Sequence, residues 1–134
     1  MSFEQNQTHV LSLFSKCQNK EEVYQKLIDL GQKLHSSKTY LEEDLVKGCQ
    51  STVYLTCTEK QGKCYFEATA DALISKGLVY ILLLLFNGLT PQEIVQAKPN
   101  FIEKLHLETL LSPSRANGLA AVLLKIKQLA MLKL

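Results

Sequence analysis

The chain has 134 residues, with 15 Lys plus Arg against 13 Asp plus Glu and a formal net charge of +2. So small a surplus gives no broad electrostatic case for nucleic acid or an anionic membrane, and partners must be sought in local features. The length suits one domain over residues 1–134 with one hydrophobic core.

Residues 1–7 carry neither a basic segment nor an apolar stretch, so no secretory leader is expected and the chain is expected to stay in the cytoplasm. Val10, Leu11, Leu13, Phe14 and Cys17 recur at roughly helical spacing behind Thr8, which predicts a short first helix capped by Thr8. Asn19 followed by Glu22 has the form of a capping box, and Val23, Leu27, Leu30 and Leu34 then share one face of a second helix. Residues 35–47 are polar and predict a loop. From Val53 the pattern alternates, with Val53, Leu55 and Cys57 on one face and Tyr54, Thr56 and Thr58 on the other. Glu59-Lys60-Gln61-Gly62 reads as a turn, and Cys64, Phe66, Ala68 and Ala70 then share the returning face of an antiparallel hairpin.

Asp71 is placed to cap a long helix reaching Phe86. Its apolar run, residues 78–86, falls well short of the ~20 residues a membrane span needs and predicts a buried core helix. Thr90, Pro91 and Glu93 start a short helix, and Ser112 with Pro113 starts the last one, striped by Leu119, Val122, Leu123, Ile126, Leu129 and Ala130. The expected fold is α+β, a small antiparallel sheet packed against several helices.

Four cysteines are present, Cys17, Cys49, Cys57 and Cys64, and reduced thiols are the expectation for a cytoplasmic chain with a full apolar core. No Cys-x-x-Cys pair occurs, and His9, His35 and His106 lack metal-ligand spacing, so a metal site is poorly supported. A Gly-rich phosphate loop and a Ser, His and Asp hydrolase pattern are also lacking. The hairpin parity puts Cys57 and Cys64 near facing positions on the apolar side, and Cys17 falls on the apolar side of the first helix. All three read as small apolar core residues. Cys49 lies outside that pattern, in a polar segment just before the first strand, where Gly48 gives the backbone freedom to present or withdraw the thiol.

The segment Val46-Lys47-Gly48-Cys49-Gln50-Ser51-Thr52-Val53-Tyr54-Leu55 resembles the active-cysteine segment of the SufE family, sulfur acceptors of iron–sulfur cluster assembly that include the paralogue CsdE. Three further segments agree in order and spacing: Asp71-Ala72-Leu73-Ile74-Ser75-Lys76-Gly77-Leu78, Leu89-Thr90-Pro91-Gln92-Glu93-Ile94-Val95 and Leu111-Ser112-Pro113-Ser114-Arg115-Ala116-Asn117-Gly118-Leu119. The family usually carries Trp where Tyr54 stands and Asn where Asp44 stands.

The resemblance implies a SufE/IscU-like fold and a sulfurtransferase-like acceptor that works with a separate pyridoxal-phosphate cysteine desulfurase of SufS or CsdA type. Cys49 would take persulfide sulfur from that enzyme, stimulate it, and pass sulfur to the SufBCD scaffold, with no cofactor of its own. Gly48, Gln50 and Ser51 would shape the cysteine loop, and Asp71 and Arg115 would support it or orient the partner. A monomer without nucleic-acid or membrane partners is expected.

The residues themselves leave alternatives open. From the residues alone Asp71 is better explained as a helix cap, a role compatible with accepting hydrogen bonds that hold the cysteine loop. Arg115 in a first helical turn opposes the macrodipole by ~0.3–1 kcal/mol, which a salt bridge to Asp71 or Glu108 could offset. Its functional reading places the guanidinium near Cys49, favouring the thiolate, or against a partner carboxylate. Two other functions compete: an iron–sulfur or metal scaffold using several cysteines, and a regulator that stimulates a desulfurase by docking alone.

Overall fold

The computed structural model describes residues 2–134; Met1, the first residue of the segment read for a leader, lies outside them. Among the described residues six α-helices surround a two-stranded antiparallel sheet, an α+β architecture as expected. α1 spans Phe3–Leu13 and begins at Ser2, which forms a capping box with Gln5. The expected Thr8 cap is therefore wrong: Thr8 lies exposed within the helix, and Cys17 falls beyond its end. The reason is chemical. The first turns bury Phe3, Asn6 and Gln7 beside Val10, and two of these are polar residues that apolar periodicity discounts. Asn6 Nδ2 donates to Leu85 O at 2.9 Å and Gln7 Oε1 accepts from Asn100 N at 2.8 Å, so burial leaves neither group unsatisfied.

α2 (Lys20–Gly31) starts at the expected Asn19, whose side chain accepts from Glu22 N at 2.9 Å. It crosses α3 (Leu73–Phe86) at unusually close range. A Cβ on Gly31 would lie 2.6 Å from Gly77 N, and one on Gly77 would collide with the Leu27 carbonyl oxygen. Only glycine at both positions permits that backbone approach.

β1 (Val53–Lys60) pairs with β2 (Lys63–Ala70) from Val53↔Ala70 to Lys60↔Lys63. Gln61 (φ 53°) and Gly62 (φ 77°) make the turn, both left-handed as a tight two-residue hairpin turn requires. The inner face, Val53, Leu55, Cys64, Phe66 and Ala68, is buried, with β2 packed on α3 and β1 on the last helix, and Ile81, Leu82, Leu85 and Phe86 of α3 are fully buried. The free edge of β2 is covered in part by the chain leaving α3, where Cys64 N donates to Leu89 O and Gly88 N to Cys64 O.

Residues 35–47 are not simply loop. They carry a 3-10 turn, Glu42–Asp44, and Tyr40 packs on Tyr54 with ring centroids 5.6 Å apart. Leu45 bridges to Tyr54, which lays the end of this segment along β1. α4 (Pro91–Gln96) has the expected Thr90 and Glu93 capping box. The short α5 (Phe101–Lys104) and a 3-10 turn at Leu107–Thr109 had no sequence expectation. α6 (Pro113–Met131) starts at Ser112 as expected and buries Leu119, Val122, Ile126 and Ala130. Lys127 anchors α6 by donating to the carbonyls of Ile94, Val95 and Ala97, the end of α4.

Candidate functional site

Residues 47–52 form a loop closed at its base by the 2.8 Å hydrogen bond from Val46 N to Val53 O. Two further bonds hold its outgoing arm. Thr52 N donates to Asp71 Oδ1 at 3.0 Å, and the Ser51 and Ser75 hydroxyls meet at 2.9 Å. Asp71 is thus not the cap of α3; Ala72 occupies the cap position, and the exposed Asp71 carboxylate ties the strand entrance to the helix start instead. Its alternative reading, acceptor for the cysteine loop, describes the observed bond. The incoming arm turns at Gly48, whose φ of +93° strains any other residue.

Cys49 sits at the crest and points inward. Its Sγ lies 3.4 Å from Gly118 O on α6, the thiol being the donor. The side chain is half-buried over a pocket of about 400 Å³ between the loop, the start of α3 and the start of α6. Val53, Leu78, Leu119 and Val122 supply apolar walls, while Ser51, Ser75 and Arg115 bring polar groups. Burial pushes the Cys49 thiol above its ordinary range, since a low-dielectric surround disfavours the thiolate. Gln50 also lines the pocket and is exposed.

Arg115 shares this pocket without acting on the thiol. The upward shift of Cys49 has burial as its cause, so the expected stabilisation of a thiolate is not seen in this conformation. The expected carboxylate partners are not used either. Nη1 donates to the Tyr24 hydroxyl at 3.0 Å, and the guanidinium carbon stands 6.0 Å from the Tyr24 ring centroid. Tyr24 was missed because it lies beside the apolar stripe of α2, not in it; the one available signal was an arginine at a helix start with no assured acid. Ser75 and Gly118 lie inside two of the segments that carry the family resemblance, but nothing in the sequence singles them out there, because their contribution is placement.

The remaining thiols are elsewhere. Cys57 faces Phe66 and Cys64 faces Glu59, so the two cysteines share a face as diagonal neighbours, near facing positions as parity predicts. Burial first, and the adjacent Cys64 second, push Cys57 up to about 12. Cys64 is fully buried, whereas Cys17 and Cys57 are only partly so. Among the described residues no group of three or more His, Cys, Asp or Glu is placed to hold a metal ion. Among the same residues no helix is long and apolar enough to cross a membrane.

A small α+β protein with one thiol on a tethered loop above a pocket is the class defined by this fold and site. The family model described as SufE, Fe-S metabolism associated domain, matches residues 8–130. An uncharacterised SufE-like protein of Synechocystis sp. is 37% identical over 115 residues, covering 84% of this chain and 72% of its own length. The solution structure of a hypothetical protein from Thermus thermophilus superposes with a TM-score of 0.79 at 24% identity, covering 96% of this chain and 95% of that one, a likeness of fold. The chain belongs to the SufE family and is thereby associated with iron–sulfur metabolism.

Proposed function

We propose that the protein accepts sulfur on Cys49 from the persulfide of a SufS- or CsdA-type cysteine desulfurase, stimulates that enzyme, and passes the sulfur to a SufBCD-type scaffold. The observation that carries this reading is Cys49 itself, a half-buried thiol at the crest of a tethered loop over a pocket. The Cys49 thiolate attacks the outer sulfur of the desulfurase persulfide. A sulfur–sulfur bond forms at Cys49, the desulfurase sulfur–sulfur bond breaks, and the desulfurase cysteine leaves as thiolate, with no net oxidation. Attack therefore requires that Cys49 lose its proton and leave the Gly118 carbonyl, which supports a loop that swings out on docking with Gly48 as one hinge. Asp71 and Ser51 fix the far arm so that the swing is confined to the crest, and exposed Gln50 meets the partner. The sheltered position keeps a persulfide from reductants and oxidants between partners.

The test is intact mass of wild type and Cys49→Ser after incubation with desulfurase, pyridoxal phosphate and L-cysteine, before and after reductant. A reductant-sensitive gain of about 32 Da, absent from the variant, is the expected outcome. An unmodified wild type beside an active cognate desulfurase would end the acceptor reading. Stimulation retained by Cys49→Ser would favour a docking-only regulator instead.

A further inference from the structure

Arg115 is the third residue of α6, in the first turn, where the positive end of the macrodipole opposes a cation. Its observed hydrogen-bond partner is the neutral phenol of Tyr24, on a different helix and 91 residues away in sequence. The contact has two parts: the Nη1 bond to the hydroxyl oxygen at 3.0 Å and the approach of the guanidinium to the ring at 6.0 Å. Tyr24 stands on α2, which the Gly31 and Gly77 approach locks against α3, so the anchor is rigid where a surface arginine alone would be loose. A guanidinium has five N–H donors, and one bond to a phenol leaves the others available on the side where Arg115 lines the Cys49 pocket. The phenol adds no charge, so it orients the arginine without neutralising it, as a carboxylate would.

We propose that Tyr24 is a positioning residue that holds the Arg115 guanidinium at the rim of the pocket, ready to bind anionic sulfur on Cys49 once the thiol leaves Gly118. This rests on the reading of Cys49 as the sulfur acceptor. Tyr24 acts through Arg115, and its effect exists only while that guanidinium is present.

The experiment is a double-mutant cycle on the single-turnover rate at which desulfurase persulfide sulfur appears on Cys49, using wild type, Tyr24→Phe, Arg115→Ala and the double variant, with melting temperatures for each. Tyr24→Phe keeps the ring and removes only the oxygen. It slows uptake by about threefold to tenfold in the wild-type background, the range for one solvent-exposed hydrogen bond of ordinary net strength, and has no further effect beside Arg115→Ala. Melting temperatures of wild type and Tyr24→Phe agree. Equal slowing in both arginine backgrounds, an unchanged rate in Tyr24→Phe, or a rate loss that tracks a fall in melting temperature would overturn the assignment. No adduct on wild-type Cys49 would remove the acceptor reading and this one with it, whereas normal wild-type uptake with an additive cycle removes the role of Tyr24 alone.

Discussion

Cys49 and the hairpin pair, Cys57 and Cys64, are desolvated in the same direction, with burial raising all three thiols. What separates them is the backbone beneath each. The Cys64 amide and carbonyl are bonded to the chain leaving α3, and its side chain lies inside the sheet and helix layer. Exposing it means opening the hairpin from the core. Cys49 needs far less: one weak thiol bond to Gly118 breaks and the crest turns at Gly48, while the 46–53 closure and the Asp71 tether stay intact. On the proposed reading of Cys49 as the acceptor, burial alone is a poor guide to thiol reactivity, and the cost of undoing the burial decides it.

The comparison breaks first on substitution. With a cognate desulfurase, Cys49→Ser is expected to lose sulfur uptake completely, while Cys57→Ala and Cys64→Ala keep it. Uptake lost in the hairpin variants, with melting temperature preserved, would mean the hairpin thiols take part. Alkylation sharpens the same contrast. A thiol with a raised pKa holds more of the unreactive protonated form at any pH below that value, so Cys49 should modify more slowly than free cysteine at about pH 8 and keep accelerating above about pH 9. Cys57, pushed up to about 12, should stay slower than Cys49 in the folded protein. Peptide mapping after timed iodoacetamide exposure reads both, and equal labelling of the two sites would erase the distinction.

A smaller effect is expected from the tether. Asp71→Ala removes the acceptor for Thr52 N, an exposed bond, and frees the outgoing arm without touching the core. Cys49 alkylation should then rise by about threefold to tenfold with little change in melting temperature. Asp71→Asn, which retains an acceptor oxygen, should fall between. A slower rate in Asp71→Ala would show that the carboxylate opens the loop instead of holding it.

Much of this was legible beforehand because it is local chemistry. Asn19, Thr90 and Ser112 are caps readable from a few residues. The turn expected over Glu59-Lys60-Gln61-Gly62 narrows to Gln61 and Gly62, because Glu59 and Lys60 stay paired in β1, and the same-face placement of the hairpin cysteines is kept. The motif around Cys49 located the loop. What stayed hidden depends on contacts distant in sequence. Asp71 looks like a cap until Thr52, 19 residues earlier, is seen to donate to it. The start of α1 is obscured because Asn6 and Gln7 are buried by bonds to Leu85 and Asn100. Arg115 had an evident need for a partner, but charge reasoning pointed to acids and the structure uses a phenol.

The smallest expected effect tests how closely the Cys49 shelter is fitted. Gly118 lies inside α6, where glycine is a poor helix former, and its carbonyl receives the Cys49 thiol. A Cβ built there would stand 3.7 Å from Cys49 Sγ and 4.0 Å from its Cβ, ordinary van der Waals contact. Gly118→Ala should therefore stabilise the protein by about 0.5–1 kcal/mol through helix propensity. Its added methyl gives the resting thiol a little more to pack on, so Cys49 alkylation should change by less than about twofold. Denaturant unfolding and timed alkylation separate the two. A destabilised Gly118→Ala protein, or one whose Cys49 labels as fast as free cysteine, would mean that the thiol needs the bare glycine surface and that its shelter tolerates no added atom.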